Sequence, residues 1–342
     1  MTKKILLFFI SLFIGVGLLV WIIRFLGWQE IKSAFLIFTG WQGLIILLLT
    51  ALMLFLGMWK WKVILKGQGY SFSHRQLLSP YLSCFSLIYL FPIALFGGEI
   101  FRGYILKERY SVPWSKGITS VMIDKILEMT AFLITIIIGL IFFLIKVGLP
   151  PRNLGIIIGG ILFFLCAAIG FFYFKSFKRE SMARFFIKLF NSQRRFISEE
   201  PVGIEREIFD FFKLKNKILW EASAFALLRV GVTWLRCWFL VLFLGGQIGF
   251  SAALSILGFH YFSLLIPIPM ALGSHEVIQT FAFGALGLGA SSAPAFTMIQ
   301  RGAELLLAFI GIAIFFKLGI GLLQTILFRK FERLIGGRNN HL

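Results

Sequence analysis

The stretch from Pro92 to Arg102 reads PIALFGGEIFR, and the stretch from Pro269 to Gln279 reads PMALGSHEVIQ. Each is an apolar run broken by proline, glycine and a carboxylate. Pro92, Ala94, Leu95 and Glu99 answer to Pro269, Ala271, Leu272 and Glu276 at an offset of 177. Three further matches keep the same order at nearly the same offset. Ile123-Asp124-Lys125-x-x-Glu128 pairs with Ile299-Gln300-Arg301-x-x-Glu304, and Gly67-Gln68-Gly69-Tyr70-Ser71 resembles Gly246-Gln247-Ile248-Gly249-Phe250-Ser251. Lys60 between Trp59 and Trp61 resembles Arg236 between Trp234 and Trp238. Constant order and offset argue for an internal duplication, with repeats over about 41–145 and 219–317 of a single membrane domain covering 1–342.

The surroundings of these stretches decide the solvent. Of the 342 residues, 59% are apolar and 14% charged, with 42 Phe, more apolar surface than a water-soluble domain can hide. Runs long enough to cross a bilayer, about 20 residues, lie at 5–23, 41–58, 118–145, 154–174, 219–244 and about 295–317. The regions 77–116 and 251–290 are apolar but interrupted, and broken helices at membrane depth need protein or a wet cavity around them. The expected fold is therefore all-α, a polytopic integral membrane protein with about six full spans plus two broken re-entrant helical hairpins. Three full spans separate the hairpins, so the second repeat is expected upside down relative to the first.

Charge sets the orientation. There are 34 Lys and Arg against 15 Asp and Glu, a net +19 that in a soluble chain would suggest nucleic acid. With hairpins that enter and leave on one side, 25 cations fall on the side of both termini and 4 on the other. Cytoplasmic segments carry the Lys and Arg excess, so both termini are placed in the cytoplasm, at the cell inner membrane. The 43 residues from 175 to 217 mix Phe185, Phe186, Ile187, Leu189 and Phe190 with Arg184, Lys188, Arg194 and Arg195. They suit either a basic amphipathic helix on an anionic leaflet or a plain solvated connector.

Ten ionisable residues sit at hydrocarbon depth: Glu99, Asp124, Glu128, Glu276 and Glu304 against Arg102, Lys125, Arg229, Arg236 and Arg301. Left unpaired they would cost about 25–35 kcal/mol, beyond the usual net stability of about 5–15 kcal/mol. Lys125 with Glu128, and Arg301 with Glu304, are three apart and able to form local ion pairs. Glu99 and Glu276 follow glycine-containing breaks, where they either cap a half-helix or contact a substrate. Arg102 lies within reach of Glu99 or of a phosphate. His275 reads as a hydrogen-bonding turn residue or a site contact, and His260 as a core residue.

Nothing here forms a catalytic set, a metal site or a cofactor site. The sequence contains no nucleotide loop and no H-E-x-x-H, and Cys84, Cys166 and Cys237 lie singly in apolar runs. The element formed by Pro92, Gly98, Glu99 and Arg102, the Val112-Pro113-x-Ser115 step before Asp124-Lys125-x-x-Glu128, and the Gly273-Ser274-His275-Glu276 turn resemble the lysylphosphatidylglycerol synthase transmembrane family, over roughly residues 5–325. That flippase-like domain also occurs as free-standing membrane proteins. His275 departs from the pattern, since an arginine or similar residue often precedes the Glu. The chain ends about 25 residues past its last span, so the synthase activity is not expected here.

The resemblance implies lipid translocation between leaflets. The expected function is a non-enzymatic flippase for a phospholipid or other polar-headgroup lipid. Its substrate-binding residues would be Glu99, Arg102, Asp124, Glu128, His275, Glu276, Arg301 and Glu304. The alternatives are a membrane-embedded enzyme acting on a lipid or polyprenyl-phosphate substrate, and a scaffold for a separate synthase. Lipid, the membrane and a second copy of the chain are the partners considered; nucleic acid is not.

Overall fold

The computed structural model describes residues 40–90, 97–149, 152–178, 199–213, 215–265 and 273–336. The span at 5–23, the breaks at 92–96 and 267–272 and the basic stretch at 184–195 lie outside them. The described residues form ten α-helices and one short 3-10 turn, with no strand among them. Four helices, α1 (Trp41–Gly67), α4 (Trp114–Val147), α7 (Lys217–Phe243) and the apolar part of α10 (Ala293–Gly336), are long and apolar enough to cross a membrane. Large apolar side chains such as Phe163, Phe164 and Val277 point outward, as expected of a protein whose outer solvent is lipid. The chain is an all-α polytopic membrane protein.

Helix ends follow from local chemistry. Pro113, at φ −53°, leads into α4, and Gly148 ends it in the left-handed region at φ 93°. Asn216 caps α7, its side-chain oxygen accepting the Ile218 N–H at 3.0 Å.

Between α1 and α4 lies a helical hairpin of α2 (His74–Leu90) and α3 (Gly97–Tyr110). Arg102 lies over the Tyr81 ring at 5.4 Å, and the Tyr110 hydroxyl donates to the Gln76 carbonyl at 3.2 Å. As numbers rise in α3 they fall in α2, so the chain returns to the side it entered. That last bond has a cause: Pro80 inside α2 has no N–H to offer the Gln76 carbonyl. Tyr110 supplies the missing donor and ties the arms at their base. A second hairpin, α8 (Phe250–Leu264) with α9 (Ser274–Ala285), follows α7. There Gln279 Nε2 donates to the Ile256 carbonyl at 3.2 Å, and His275 meets His260. Arms of 12 to 17 residues fall short of the ~20 needed for a crossing, which suits re-entrant hairpins.

Contacts between the two halves are reciprocal. The most extensive joins α1 to α7. Trp41 meets Phe243 with ring centroids 5.2 Å apart, Arg236 donates to Thr50 Oγ1 at 3.2 Å, and Trp59 stacks on Phe225 at 5.0 Å. The two helices therefore run antiparallel. The next largest contacts join α8 to α4 and α10 to α2, so each hairpin packs against the other half's last spanning helix. An inverted duplication would impose this exchange, because a two-fold axis perpendicular to α1 and α7 maps each contact onto the other. Backbones come close at these crossings. A Cβ on Gly139 would lie 2.7 Å from the Leu254 carbonyl oxygen, and one on Gly311 would lie 2.4 Å from the Leu82 carbonyl oxygen.

Helix α5 (Arg152–Lys178) is long and mostly exposed. Helix α6 (Glu199–Phe211) follows the basic stretch and packs into the bundle. Ile208, Phe209 and Phe211 are buried in a cluster with Val63 and Ile64 of α1, Ile123 and Leu127 of α4 and Leu219 of α7. Lys116 anchors the helix through Glu207 at 2.7 Å.

Gly311→Ala is expected to destabilise the protein by about 1–3 kcal/mol, because backbone at Leu82 cannot step aside. Gly231, with open space around it, is the control: Gly231→Ala should be neutral or stabilising by about 1 kcal/mol. Thermal unfolding of the purified protein in detergent distinguishes them.

Candidate functional site

Helix α3 starts at Gly97, which puts Glu99 in its first turn, where unbonded N–H groups favour a carboxylate. Glu99 Oε1 lies 3.4 Å from Lys125 Nζ on α4. Lys125 also reaches Glu128, one turn along, at 3.6 Å, and Glu128 takes Arg229 of α7 at 2.5 Å. A continuous chain of alternating charge thus runs from the first hairpin across α4 to the central helix pair.

The second hairpin builds the same pair from equivalent residues. Gly273, at φ 77°, turns the chain into α9, and Glu276 Oε2 accepts the Gly273 N–H at 2.8 Å. Capping is therefore one of this residue's roles. Its other oxygen pairs with Arg301 of α10 and accepts from Thr297 Oγ1 at 3.4 Å. One turn on, Glu304 meets Arg236 of α7 at 2.9 Å. Glu99 with Lys125, and Glu276 with Arg301, are the same bond made twice. The halves also touch directly, since the Tyr89 hydroxyl at the end of α2 donates to the Arg301 carbonyl at 3.5 Å.

One element has no charged equivalent. Asp124 accepts both Lys60, at 3.0 Å, and Arg102, at 2.9 Å. Lys60 also donates to the Asp124 carbonyl at 3.0 Å, while the Arg102 guanidinium lies over Trp61 at 4.9 Å. The three residues are 1–3% exposed. In the second half Gln279 and Gln300 stand in place of Arg102 and Asp124, bonded to the Ile256 carbonyl and to Cys237 Sγ. Loss of the aspartate alone would leave both buried cations unmatched.

The eight residues singled out from sequence fall into four environments. Glu99 and Glu128 join the first network; Glu276, Arg301 and Glu304 join the second. Arg102 and Asp124 are sealed in the triad. His275 is buried, with Nε2 3.1 Å from His260 Nδ1, and holds α9 to α8.

Several expectations change. Arg301 and Glu304 do not pair locally but reach other helices, and Arg102 pairs with Asp124, not Glu99. Lys60, counted as a cytoplasmic cation, is buried at the heart of the first half. Without it and Arg102, 23 of the 25 cations remain on that side against 4 on the other. The Trp-flanked match of Lys60 to Arg236 was the signal that could have placed it at depth. Among the described residues no group of three or more His, Cys, Asp or Glu is placed to hold a metal ion.

The open edge is distinct from the sealed core. The Lys125 side chain is 34% exposed, and Glu276, Glu128 and Glu304 keep part of their surface accessible. Two short-armed hairpins bearing paired charges among spanning helices define a polytopic membrane protein with an ion-paired interior. The chain belongs to the family described as the lysylphosphatidylglycerol synthase TM region, which matches residues 8–311. It is 26% identical over 258 residues to a UPF0104 membrane protein of Pyrococcus horikoshii, covering 71% of this chain and 76% of that one. Over 256 residues it is 23% identical to a UPF0104 membrane protein of Methanocaldococcus jannaschii, covering 71% and 74%. No solved structure matches the chain.

Asp124→Asn should strand Lys60 and Arg102 without an anion, at a cost of about 3–5 kcal/mol. Lys125→Gln, at the open edge, should cost about 1 kcal/mol or less. Yield of monodisperse protein on size-exclusion chromatography and its unfolding temperature report the difference.

Proposed function

We propose that this protein carries polar-headgroup lipids between the leaflets of the cytoplasmic membrane, the headgroup passing between the two hairpins while acyl chains stay in lipid. The observation that carries this reading is the pair Glu99–Lys125 repeated as Glu276–Arg301, one at each hairpin. The hairpins enter from opposite ends of an antiparallel helix pair. Transporters built from inverted repeats place discontinuous helices and their substrate site at the repeat interface. In this reading the repeats are about 41–145 and 219–317, and both termini face the cytoplasm.

A headgroup crossing the hydrocarbon core needs polar partners at every depth, since each unmet polar group there is costly. Ion pairs that are only partly buried can exchange one partner for a headgroup group and close again behind it. Glu99, Lys125, Glu128, Glu276, Arg301 and Glu304 would make these exchanges. Arg102 and Asp124 would fix the first hairpin on α4, and His275 would fix the second on α8. The role is transport, with no bond of the lipid made or broken. The family's printed name, a lipid synthase's membrane region, supports a lipid as the cargo.

Glu99→Gln and Glu276→Gln keep the shape of the side chain, and at position 276 the capping acceptor, but lose the charge. Each should slow exchange of a fluorescent phospholipid in reconstituted vesicles by about tenfold or more, as loss of a charged contact worth about 1.5 kcal/mol would. Unfolding temperature should stay close to the parent's. Undiminished exchange in both variants would remove the site assignment.

A further inference from the structure

Among the described residues the interior charges do not balance. Among the described residues, the ion pairs joining α1, α3, α4, α7, α9 and α10 contain six cations, Lys60, Arg102, Lys125, Arg229, Arg236 and Arg301. They contain five carboxylates, Glu99, Asp124, Glu128, Glu276 and Glu304. The breaks at 91–96 and 266–272 hold no ionisable residue.

The surplus arises in the first half, because Asp124 serves two cations. Its counterpart Gln300 serves none, and its Oε1 is buried without a hydrogen bond, as is Arg102 Nε. A net positive charge inside a low-dielectric bundle raises the potential along the whole open edge. Lys125 is the group there most ready to accept a visiting anion. Its ammonium is held at 3.4 and 3.6 Å, longer than the 2.9–3.0 Å of the sealed pairs, and a third of its side chain is exposed.

We infer that the lipid is anionic, its singly charged phosphodiester meeting Lys125 and completing six negative charges against six positive. This deepens the transport reading and rests on it. A cationic headgroup would add to the surplus instead of cancelling it.

The test is equilibrium binding to the purified full chain in detergent, followed by native mass spectrometry. The probes are dioleoyl phosphatidylglycerol (charge −1), dioleoyl phosphatidylcholine (neutral overall) and a dioleoyl trimethylammonium lipid (+1), with soluble glycerol phosphate as competitor. Phosphatidylglycerol should bind about fivefold tighter than phosphatidylcholine, the effect of one uncompensated charge, and the cationic lipid weakest.

Lys60→Met removes the surplus at a sealed position, and Gln300→Glu supplies the missing carboxylate in the other half. Both should abolish the preference, and if Lys60→Met does not fold, Gln300→Glu reads the same quantity. Equal or tighter binding of the cationic lipid overturns the inference. So does displacement by glycerol phosphate at matched concentration, which would make this a site for soluble phosphates. Phosphatidylglycerol preference without leaflet exchange would leave the charge inference standing and remove the transport reading. Exchange indifferent to headgroup charge would do the reverse.

Discussion

The antiparallel packing of α1 on α7 is the constraint on which the rest of the molecule is built. Because these two helices are equivalent in the internal repeat yet run in opposite senses, any axis relating them lies across them. What one half does from one side, the other does from the opposite side. The exchange of partners follows, with α8 on α4 and α10 on α2. One arm of each hairpin packs on the half to which it does not belong and the other arm on its own half, so neither half has a complete packing surface alone.

Within that frame the charges divide by depth of burial. The triad of Lys60, Asp124 and Arg102 is sealed, short-bonded and backed by Trp61. Its attraction offsets a large desolvation cost only because all three members are present. The pairs made by Lys125 and by Glu276 sit at the edge, where the desolvation already lost is smaller and a partner can be exchanged. The same residue types are thus sealed or partly accessible according to where the helices carry them.

Much of this was legible in the sequence. The offset of 177 between Glu99 and Glu276, the interrupted apolar runs and the charges within them led to an all-helical membrane fold with two hairpins. The repeat even indicated which residues would be equivalent. Partner choice was not legible, because spacing along one helix reveals only neighbours three or four apart. Arg301 and Glu304 satisfied that spacing yet found partners on α9 and α7, a matter of how helices cross. Lys60 looked cytoplasmic because Lys62 and Lys66 follow it, although its Trp-flanked match to Arg236 pointed inward. The burial of α6 was hidden for a similar reason: Glu199 and Glu200 gave its sequence a polar start, while Ile208, Phe209 and Phe211 met a surface formed by three distant helices.

Helix α6 has one more implication. A fold of two equivalent, oppositely directed halves would serve either face of the bilayer alike, its two extreme poses having equal energy. By wedging aromatic side chains between α1, α4 and α7, α6 would lift that degeneracy and favour one pose over the other. Such a wedge cannot alter where a passively moved lipid finally comes to rest, which its gradient alone decides. In a transporter of the proposed kind it would make the two sides unequal in speed, so that arrivals from one leaflet would wait longer than those from the other.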